Sequence, residues 1–443
     1  MTDSPAVYAW LDPKEQPILD AILSLRDKLS LLKQDRSTYI KSHDVLALYD
    51  ELVEQVHQLN DIRKAHHKAL EQNRVDYVLD DCFQLISLFF LTIGRNNEAP
   101  AVYSMTSTIK RLLDHLEEAA LYTAKDLDSI EQTFAQMRDS IQRGKETYSP
   151  HLLTLLENRI DTCHNILEEL QARVSQIPPD LREVHEKMIS IIRSLSAANT
   201  KSNFPRADVL GLQEQLKEIG ATMKDGKFIG PDGTVPENQQ MVIDLFHRCT
   251  LWSELVLERQ GNVDERFAPV YEKLRNIRDK LDRLSLTQAW SLRETDLYSY
   301  QRQLDRIDES RVGGNFEDPT GYKADLHAQR TLLYLLRRSY ATIYSLIISS
   351  EPVSEALLPV YNQLQTLRRC LLEVKKNGGV SSPRELYPYS MKLNSIDNMR
   401  VDGKFLVGSD IPEGQASVNA LLADCFEVAY ELRVEAEEHD ESE

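Results

Sequence analysis

Four basic side chains recur at one position of a repeated helical pattern, and together they could bind anions. Arg26, Lys110, Arg278 and Arg368 each lie beside an apolar stripe of the same spacing, and we call them the basic ladder. A row of cations along a groove can hold an acidic peptide or a phosphorylated ligand through charge-assisted hydrogen bonds. The alternative is structural, because such side chains also lay their methylene groups on a core edge and pair with carboxylates of neighbouring helices. We favour the structural interpretation.

Three turn-rich loops form a second candidate site, for contact with a partner. Insertions at one place in every helical repeat lie on one face of the array, which is often the binding face. Each loop combines a glycine-containing turn with a phenylalanine. The candidate residues are Lys227, Phe228, Asn315, Phe316, Lys404 and Phe405. The alternative, which we favour, is that each phenylalanine fills the end of its own helical layer.

Four of the five cysteines also share one position of the repeated pattern. They are Cys82, Cys163, Cys249 and Cys425, and Ser339 takes this position in the remaining unit. A disulfide or a metal site needs thiols that lie close together, whereas equivalent positions in a stacked array lie one repeat apart. We therefore predict small, buried core residues and a reducing compartment.

Recognisable catalytic motifs are missing from the sequence. It contains no phosphate-binding loop, no nucleophile elbow and no glycine-rich dinucleotide fingerprint. His185-Glu186 lacks the second histidine, one turn later, that a zinc-binding helix requires. Catalytic groups can also converge only in the folded chain. On balance we predict no enzyme activity, no cofactor and no metal site.

Five similar units position these residues. The clearest unit begins at Pro359 with a helix whose apolar residues recur at steps of three and four, followed by helices at Leu386 and Leu421. Similar patterns begin at Pro17 and Pro269, and weaker ones fill the gaps. The predicted boundaries are 1–16 for a lead-in, 17–96, 97–176, 177–262, 263–350 and 351–434 for repeats 1 to 5, and 435–443 for an acidic disordered tail.

The repeat predicts an all-α protein. We expect a tandem array of about five three-helix repeats, forming an α-solenoid or an elongated helical bundle. Asp-Gly and Gly-Gly pairs are typical of tight hairpin turns, so the last three repeats should carry short hairpin-like loops. The abundance of Leu, Glu, Gln, Lys and Arg in the periodic segments agrees with helices.

Composition narrows the class of partner. The chain has 443 residues and a net charge of -18, which argues against nucleic-acid binding because that affinity comes largely from clustered Lys and Arg. The most apolar run, residues 85–93, is far shorter than the ~20 residues of a membrane-spanning helix. The first residues lack the regions of a signal peptide. We expect a protein of the cytosol or nucleus.

The loops also resemble those of a known family. Asp-Gly-Lys-Phe followed by Pro-Glu-x-Gln, at 225–239 and 402–415, together with the Val-Tyr-x-x-Leu helices at Val270 and Val360, resembles an uncharacterised family of fungal proteins. The resemblance extends over about 17–433. It implies a soluble protein of the cytoplasm or nucleus, and it supplies no activity, cofactor or catalytic residue.

The sequence leads to two hypotheses of function. The first is a non-enzymatic scaffold or adaptor whose extended surface binds a protein or peptide. The alternative is a phospho-ligand or small-molecule binding protein, or an enzyme, that uses the basic ladder or the loops around Lys227 and Lys404. Ser4, Ser149 and Ser382 each precede a proline, which adds the hypothesis of regulation by phosphorylation.

Overall fold

The computed structural model describes residues 10–64, 72–230 and 233–440, without the side chains of 288–291 and 438–440. In these ranges the chain forms five successive sets of three helices. The first helices are α1 (Gln16–Gln34), α4 (Val102–Ala119), α7 (Arg182–Asn199), α10 (Ala268–Ser291) and α13 (Leu358–Lys376). The second helices are α2 (Ser42–Arg63), α5 (Ala124–Arg143), α8 (Arg206–Ala221), α11 (Leu297–Glu309) and α14 (Tyr387–Asp397). The third helices are α3 (Arg74–Thr92), α6 (Pro150–Ser175), α9 (Gln240–Arg259), α12 (Leu326–Ile348) and α15 (Gln415–Asp440). The predicted all-α repeat arrangement is confirmed.

Proline and capping side chains mark the helix starts. Pro17 and Pro359 lie in the first turns of α1 and α13, where the fixed φ of proline suits a helix and its missing N–H is not needed. Asn73 and Thr123 cap α3 and α5, and each forms a capping box with an aspartate three residues later. These caps satisfy backbone N–H groups that the helix itself leaves unpaired.

The first and third helices of every repeat pack against each other, and the recurrent cysteine lies at this contact. Its Sγ atom is 3.5 to 3.9 Å from a backbone carbonyl oxygen of the first helix. The pairs are Cys82 with Ile22, Cys163 with Thr106, Cys249 with Met188, and Cys425 with Leu364. Burial raises the pKa of Cys82 and Cys249 to about 12. The prediction of four buried, free thiols is confirmed.

The last three repeats carry tight hairpins between their second and third helices. In repeat 3, β1 (Met223–Lys224) pairs with β2 (Lys227–Phe228), and in repeat 5, β3 (Arg400–Val401) pairs with β4 (Lys404–Phe405). The Asp-Gly pair at each turn has positive φ angles of 50° to 75°, as a two-residue type I′ turn requires. Repeat 4 has an isolated bridge between Val312 and Asn315. The predicted hairpin-like loops are therefore present.

The repeats do not simply stack in sequence order. Repeats 1, 2 and 4 share one hydrophobic core, whereas repeats 3 and 5 each build a cluster of their own. Helix α12 of repeat 4 packs on α4 of repeat 2 as well as on α10, and α11 contacts α3 of repeat 1. The chain therefore folds back, so that repeat 4 lies against repeats 1 and 2.

The apolar run at 85–93 lies at this junction. It forms the end of α3, and Leu85, Phe89 and Phe90 are fully buried, because α3 packs on α1, α4 and α11. Its hydrophobicity thus reflects contact on several sides. None of the helices in the described part of the chain combines the length and apolarity that crossing a bilayer requires.

The acidic end of the chain differs from the prediction. Helix α15 continues to Asp440, into the segment predicted to be a disordered tail. Leu432 and Ala436 are buried one helical turn apart, so packing of this face extends the helix beyond the point where charge alone would end it. Residues 441–443 and the first nine residues of the lead-in lie outside the described part.

Candidate functional site

The four cations of the basic ladder all contact carboxylates of the same chain. Arg26 lies 4.0 Å from Asp81, Lys110 2.6 Å from Asp114, and Arg278 2.7 Å from Asp279, while Arg368 forms an ion pair with Asp424. The partners of Arg26 and Arg368 immediately precede the buried cysteine of the third helix. A ligand at the ladder would have to compete with these pairs. Ligand binding at the ladder stays the alternative hypothesis to the structural interpretation.

The loop phenylalanines lie inside the protein and the loop lysines outside it. Phe228, Phe316 and Phe405 are buried, whereas Lys227 and Lys404 are exposed. Asn315 is half-buried at the turn of repeat 4. The part of the loops that a partner could contact is thus the turn with its lysine. A role of these loops in binding stays a prediction.

A glutamine at or near the start of the following helix fixes the backbone of each phenylalanine. Its side-chain oxygen accepts the backbone N–H of the phenylalanine, and its amide N–H donates to the carbonyl oxygen of the same residue. The three glutamines are Gln239, Gln329 and Gln415. The comparison of repeats within the sequence found Gln239 and Gln415 through the Pro-Glu-x-Gln motif. Gln329 was missed because that motif is absent from repeat 4.

The serine-proline sites differ in position. Ser149 directly precedes α6 and is partly buried. Ser382 is also partly buried, and its hydroxyl oxygen accepts the backbone N–H of Arg384 at 3.3 Å. Ser4 lies outside the described residues. Phosphorylation at these serines stays a prediction.

A groove of about 830 Å³ opens where repeats 1, 2 and 4 meet. Its walls come from α2, α3, α4, α6 and α11, with one residue of α12. Among the described residues, five basic and five acidic side chains line it: Arg63, Lys110, Arg111, Arg159, Arg302, Asp76, Asp80, Asp114, Asp305 and Glu309. The formal charges of these ten side chains therefore balance, in contrast to the acidic chain as a whole.

A network of arginines and buried carboxylates forms the floor of the groove. Arg302 Nε lies 3.1 Å from Oδ1 of Asp81, and its Nη1 lies 3.8 Å from Oδ2 of Asp305. Arg111 Nε lies 3.7 Å from Oδ1 of Asp305, to which Tyr340 also donates a hydrogen bond of 2.6 Å. Burial raises the pKa of Asp81 and of Asp305, although the arginines oppose the shift. The network therefore places paired arginines and carboxylates at the edge of the hydrophobic core.

Gln301 provides an unpaired hydrogen-bond acceptor in the groove. Its side chain is 3% exposed, and its Nε2 donates to Oγ1 of Thr108 at 2.9 Å. Thr108 donates its own hydroxyl proton to the carbonyl oxygen of Ser104, which fixes the orientation of the amide. Oε1 of Gln301 is then left without a partner among the described residues. A buried acceptor in this state costs about 1–3 kcal/mol, which a ligand N–H could offset.

An arginine and an aromatic ring form the wall opposite α11. The guanidinium of Arg159 lies 4.2 Å from the centre of the Tyr103 ring and donates to the Tyr103 hydroxyl at 3.1 Å. That hydroxyl donates to Oδ1 of Asp80 at 2.6 Å. Tyr77 and Leu155 line the same groove and are partly exposed. This wall offers apolar, aromatic and charged contacts within one site.

The sequence did not reveal the groove. Of the candidate residues, only Lys110 of the basic ladder lines it. Its walls combine residues from three repeats, and the fold-back of repeat 4 brings them together. No local spacing carries that information. A charged residue inside an otherwise apolar helical stripe, such as Asp305 in α11, was the available signal.

Sequence relatives place the chain in a family. A protein of Schizosaccharomyces pombe named as a CUB1 family protein is 40% identical over 437 residues, which cover 96% of this chain and 94% of that protein. The chain belongs to the CUB1 family. The Saccharomyces cerevisiae relative of this CUB1-family chain is named "Cu(2+) suppressing and bleomycin sensitive protein 1". It is 38% identical over 504 residues, covering 96% of this chain and 91% of that protein.

Further comparisons agree with an uncharacterised family in fungi. A family model described as "Protein of unknown function (DUF2408)" matches residues 174–294 and 350–443 of this CUB1-family chain, and these segments contain both two-stranded hairpins. A probable kinetochore protein of Kluyveromyces lactis, SPC24, is 28% identical over 148 residues, which are 33% of this chain and 71% of that protein. No solved structure is a significant match. The resemblance to uncharacterised fungal proteins is thus confirmed.

Proposed function

We propose that this CUB1-family chain is a non-enzymatic interaction scaffold that holds a polypeptide segment of mixed charge in the groove between repeats 1, 2 and 4. The observation that carries the proposal is the lining of the groove, which in the described part of the chain combines five cations and five carboxylates with Gln301, whose buried Oε1 has no partner there. A polypeptide presents side chains of both signs to this lining, and a small movement of the Gln301 side chain would give its Oε1 a backbone N–H donor.

The balance of charges favours this ligand over a simple anion or cation. A ligand of one sign would face like charges at some point of the groove, which is lined by carboxylates such as Asp80 and by cations such as Arg159, and like-charge contacts in an interface cost several kcal/mol. Tyr77, which lines the groove and is partly exposed, adds the kind of rigid aromatic surface that is enriched at interfaces. A groove of about 830 Å³ can take a few side chains of a partner.

The names of the relatives leave the partner open. The Saccharomyces cerevisiae protein is named for copper and bleomycin, and neither word identifies a binding partner for this chain. Among the described residues, no group of three His, Cys, Asp or Glu side chains is arranged to hold a metal ion. The net charge of -18 argues against nucleic acid as the partner. The cytosol or nucleus is the compartment that we propose.

Affinity capture with matched surface variants tests the proposal. Tyr77→Ala with Leu155→Ala removes two partly exposed side chains of the groove rim. Leu31→Ala with Leu286→Ala is the control, because both leucines are exposed outside the groove. We expect proteins captured from a fungal lysate by the intact chain to be retained by the control and lost by the groove variant. Equal capture by both variants, at unchanged thermal stability, would contradict the proposal.

A further inference from the structure

Three arginines line a separate cavity where repeats 2, 3 and 4 meet. Arg248 lies in α9, and Arg330 and Arg337 lie two turns apart on one face of α12. The cavity has a volume of about 170 Å³, and its other walls include Trp252 and the last turn of α4. It differs from the groove in that the arginines outnumber the acids three to one, the acid being Glu118.

The three guanidinium groups have few partners. Arg248 donates to the backbone carbonyl oxygen of Ala119 at 2.6 Å, and Arg330 lies 5.7 Å above the ring of Trp252. Nη1 of Arg330 and Nη1 of Arg337 are buried without a hydrogen-bond partner in the described part of the chain. Arg337 as a whole is only 9% exposed. The cavity therefore contains buried donors with nothing to donate to.

Acids near the cavity are engaged elsewhere. Glu118 forms an ion pair with Arg311, and Asp126 lies 2.7 Å from Arg193. Within 10–64, 72–230 and 233–440, no carboxylate forms an ion pair with any of the three cavity arginines. This is unexpected in a chain whose acidic residues outnumber its basic residues by 70 to 52.

Uncompensated burial destabilises these charges. Burial lowers the pKa of Arg248 and Arg330, and burial together with neighbouring arginines lowers the pKa of Arg337 to about 10. A guanidinium with that pKa is still charged at neutral pH. Buried charges are normally paired, because removing an ion from water costs several kcal/mol. A cluster of buried arginines that lowers the stability of the fold in this way is a candidate functional site.

We propose that the cavity binds a compact oxyanion of the phosphate class, either as inorganic phosphate or as the phosphoryl group of a larger ligand. The planar fork of each guanidinium matches two phosphate oxygens, so Nη1 of Arg330 and Nη1 of Arg337 would gain acceptors. The volume of about 170 Å³ fits one tetrahedral group with a few waters, each of which takes about 30 Å³. This inference is independent of the proposed function of the groove.

Thermal unfolding and calorimetric titration of the full chain test this site. Inorganic phosphate should raise the melting temperature in a saturable way, relative to chloride at equal ionic strength. Arg337→Met should weaken the affinity for phosphate by at least about tenfold, the equivalent of one charge-assisted hydrogen bond. Its melting temperature without phosphate should be no lower than that of the intact chain, because the unpaired charge is gone.

Arg338→Met is the matched control for this experiment. Arg338 is the next residue of α12, is exposed and lies 3.7 Å from Asp282, so this variant should respond to phosphate like the intact chain. If Arg337→Met does not fold, Arg330→Gln takes its place. Phosphoserine and tripolyphosphate as further probes distinguish a phosphoryl site from a site for free phosphate. The proposal fails if none of the three probes stabilises the intact chain beyond chloride, or if the arginine variant responds equally.

Discussion

At the scale of the residue, the points where repeats meet are marked by buried polar side chains. Gln301 and Asp305 lie under the groove, and Arg337 lies in the arginine cavity. Next to that cavity, His327 stacks on Trp252 with 5.6 Å between ring centres. Such groups cost free energy unless they are paired, so each of them should have a measurable effect on stability or on binding.

His327 should make stability depend on pH. Burial lowers its pKa and so favours the neutral ring, whose Nε2 donates to Oδ1 of Asn199 at 3.1 Å. The unfolded chain takes up the proton first, so the contribution of His327 is complete above about pH 6.5 and is lost as the pH falls below it. The loss can reach about 1.4 kcal/mol per pH unit.

The measurement is denaturant unfolding of the intact chain and His327→Gln between pH 7.5 and pH 5.5. The difference in unfolding free energy between the two proteins should shrink as the pH falls, because only the intact chain carries the titrating group. His43→Gln, at an exposed histidine, is the control. A difference that stays constant over this range would contradict the assignment.

At the scale of the element, each loop of the last three repeats buries one phenylalanine, and a glutamine side chain binds the backbone of that phenylalanine. We expect Phe405→Ala to destabilise repeat 5 by about 3–5 kcal/mol, because a buried aromatic ring is removed. Lys404→Ala, at the exposed neighbour, should change the unfolding free energy by less than about 0.5 kcal/mol. Urea unfolding of both variants measures the two changes in unfolding free energy. Equal, small effects would show that the ring does not support the core.

The elements were largely predictable from the sequence, for local physical reasons. The stripe that begins at Pro359 specifies a helix through its spacing, and Asp402-Gly403 specifies a type I′ turn because both residues adopt positive φ. The groove was not predictable. Gln301 and Arg159 lie in different repeats, and only the contact of repeat 4 with repeats 1 and 2 brings them to one site. Helix periodicity tells which face is buried but not which helix covers it.

At the scale of the whole molecule, the fold-back depends on contacts between distant segments. Arg293, between α10 and α11, donates to Glu355 Oε2 at 2.6 Å and to the backbone carbonyl oxygen of Asp35 at 2.7 Å. It thereby joins repeats 4, 5 and 1. The backbone N–H of Glu355 also donates to the carbonyl oxygen of Thr92 at 3.1 Å. These contacts hold the start of repeat 5 against repeat 1.

Breaking the Arg293 junction should lower the free energy of unfolding by more than breaking an ordinary surface ion pair does. Arg293→Ala leaves the largely buried Glu355 carboxylate without its charged partner, although the backbone N–H of Ile40 still donates to it, so we expect a loss of about 3–5 kcal/mol. Lys28→Ala breaks an exposed pair with Glu51 and should cost about 0–1 kcal/mol. Denaturant unfolding compares the two variants. A loss for Arg293→Ala as small as that for Lys28→Ala would contradict the role of this junction.

The most direct test of the central claim is site-specific photo-cross-linking from the groove. Leu155 lines the groove and is 40% exposed, so a photoreactive amino acid at this position can reach a bound segment without replacing a core residue. Leu286, which is 87% exposed and lies outside the groove, takes the same group in the control protein. We predict a cross-linked peptide that carries both acidic and basic side chains, formed from position 155 and not from position 286. Identical cross-links from both positions, or none from position 155, would contradict a polypeptide-binding groove.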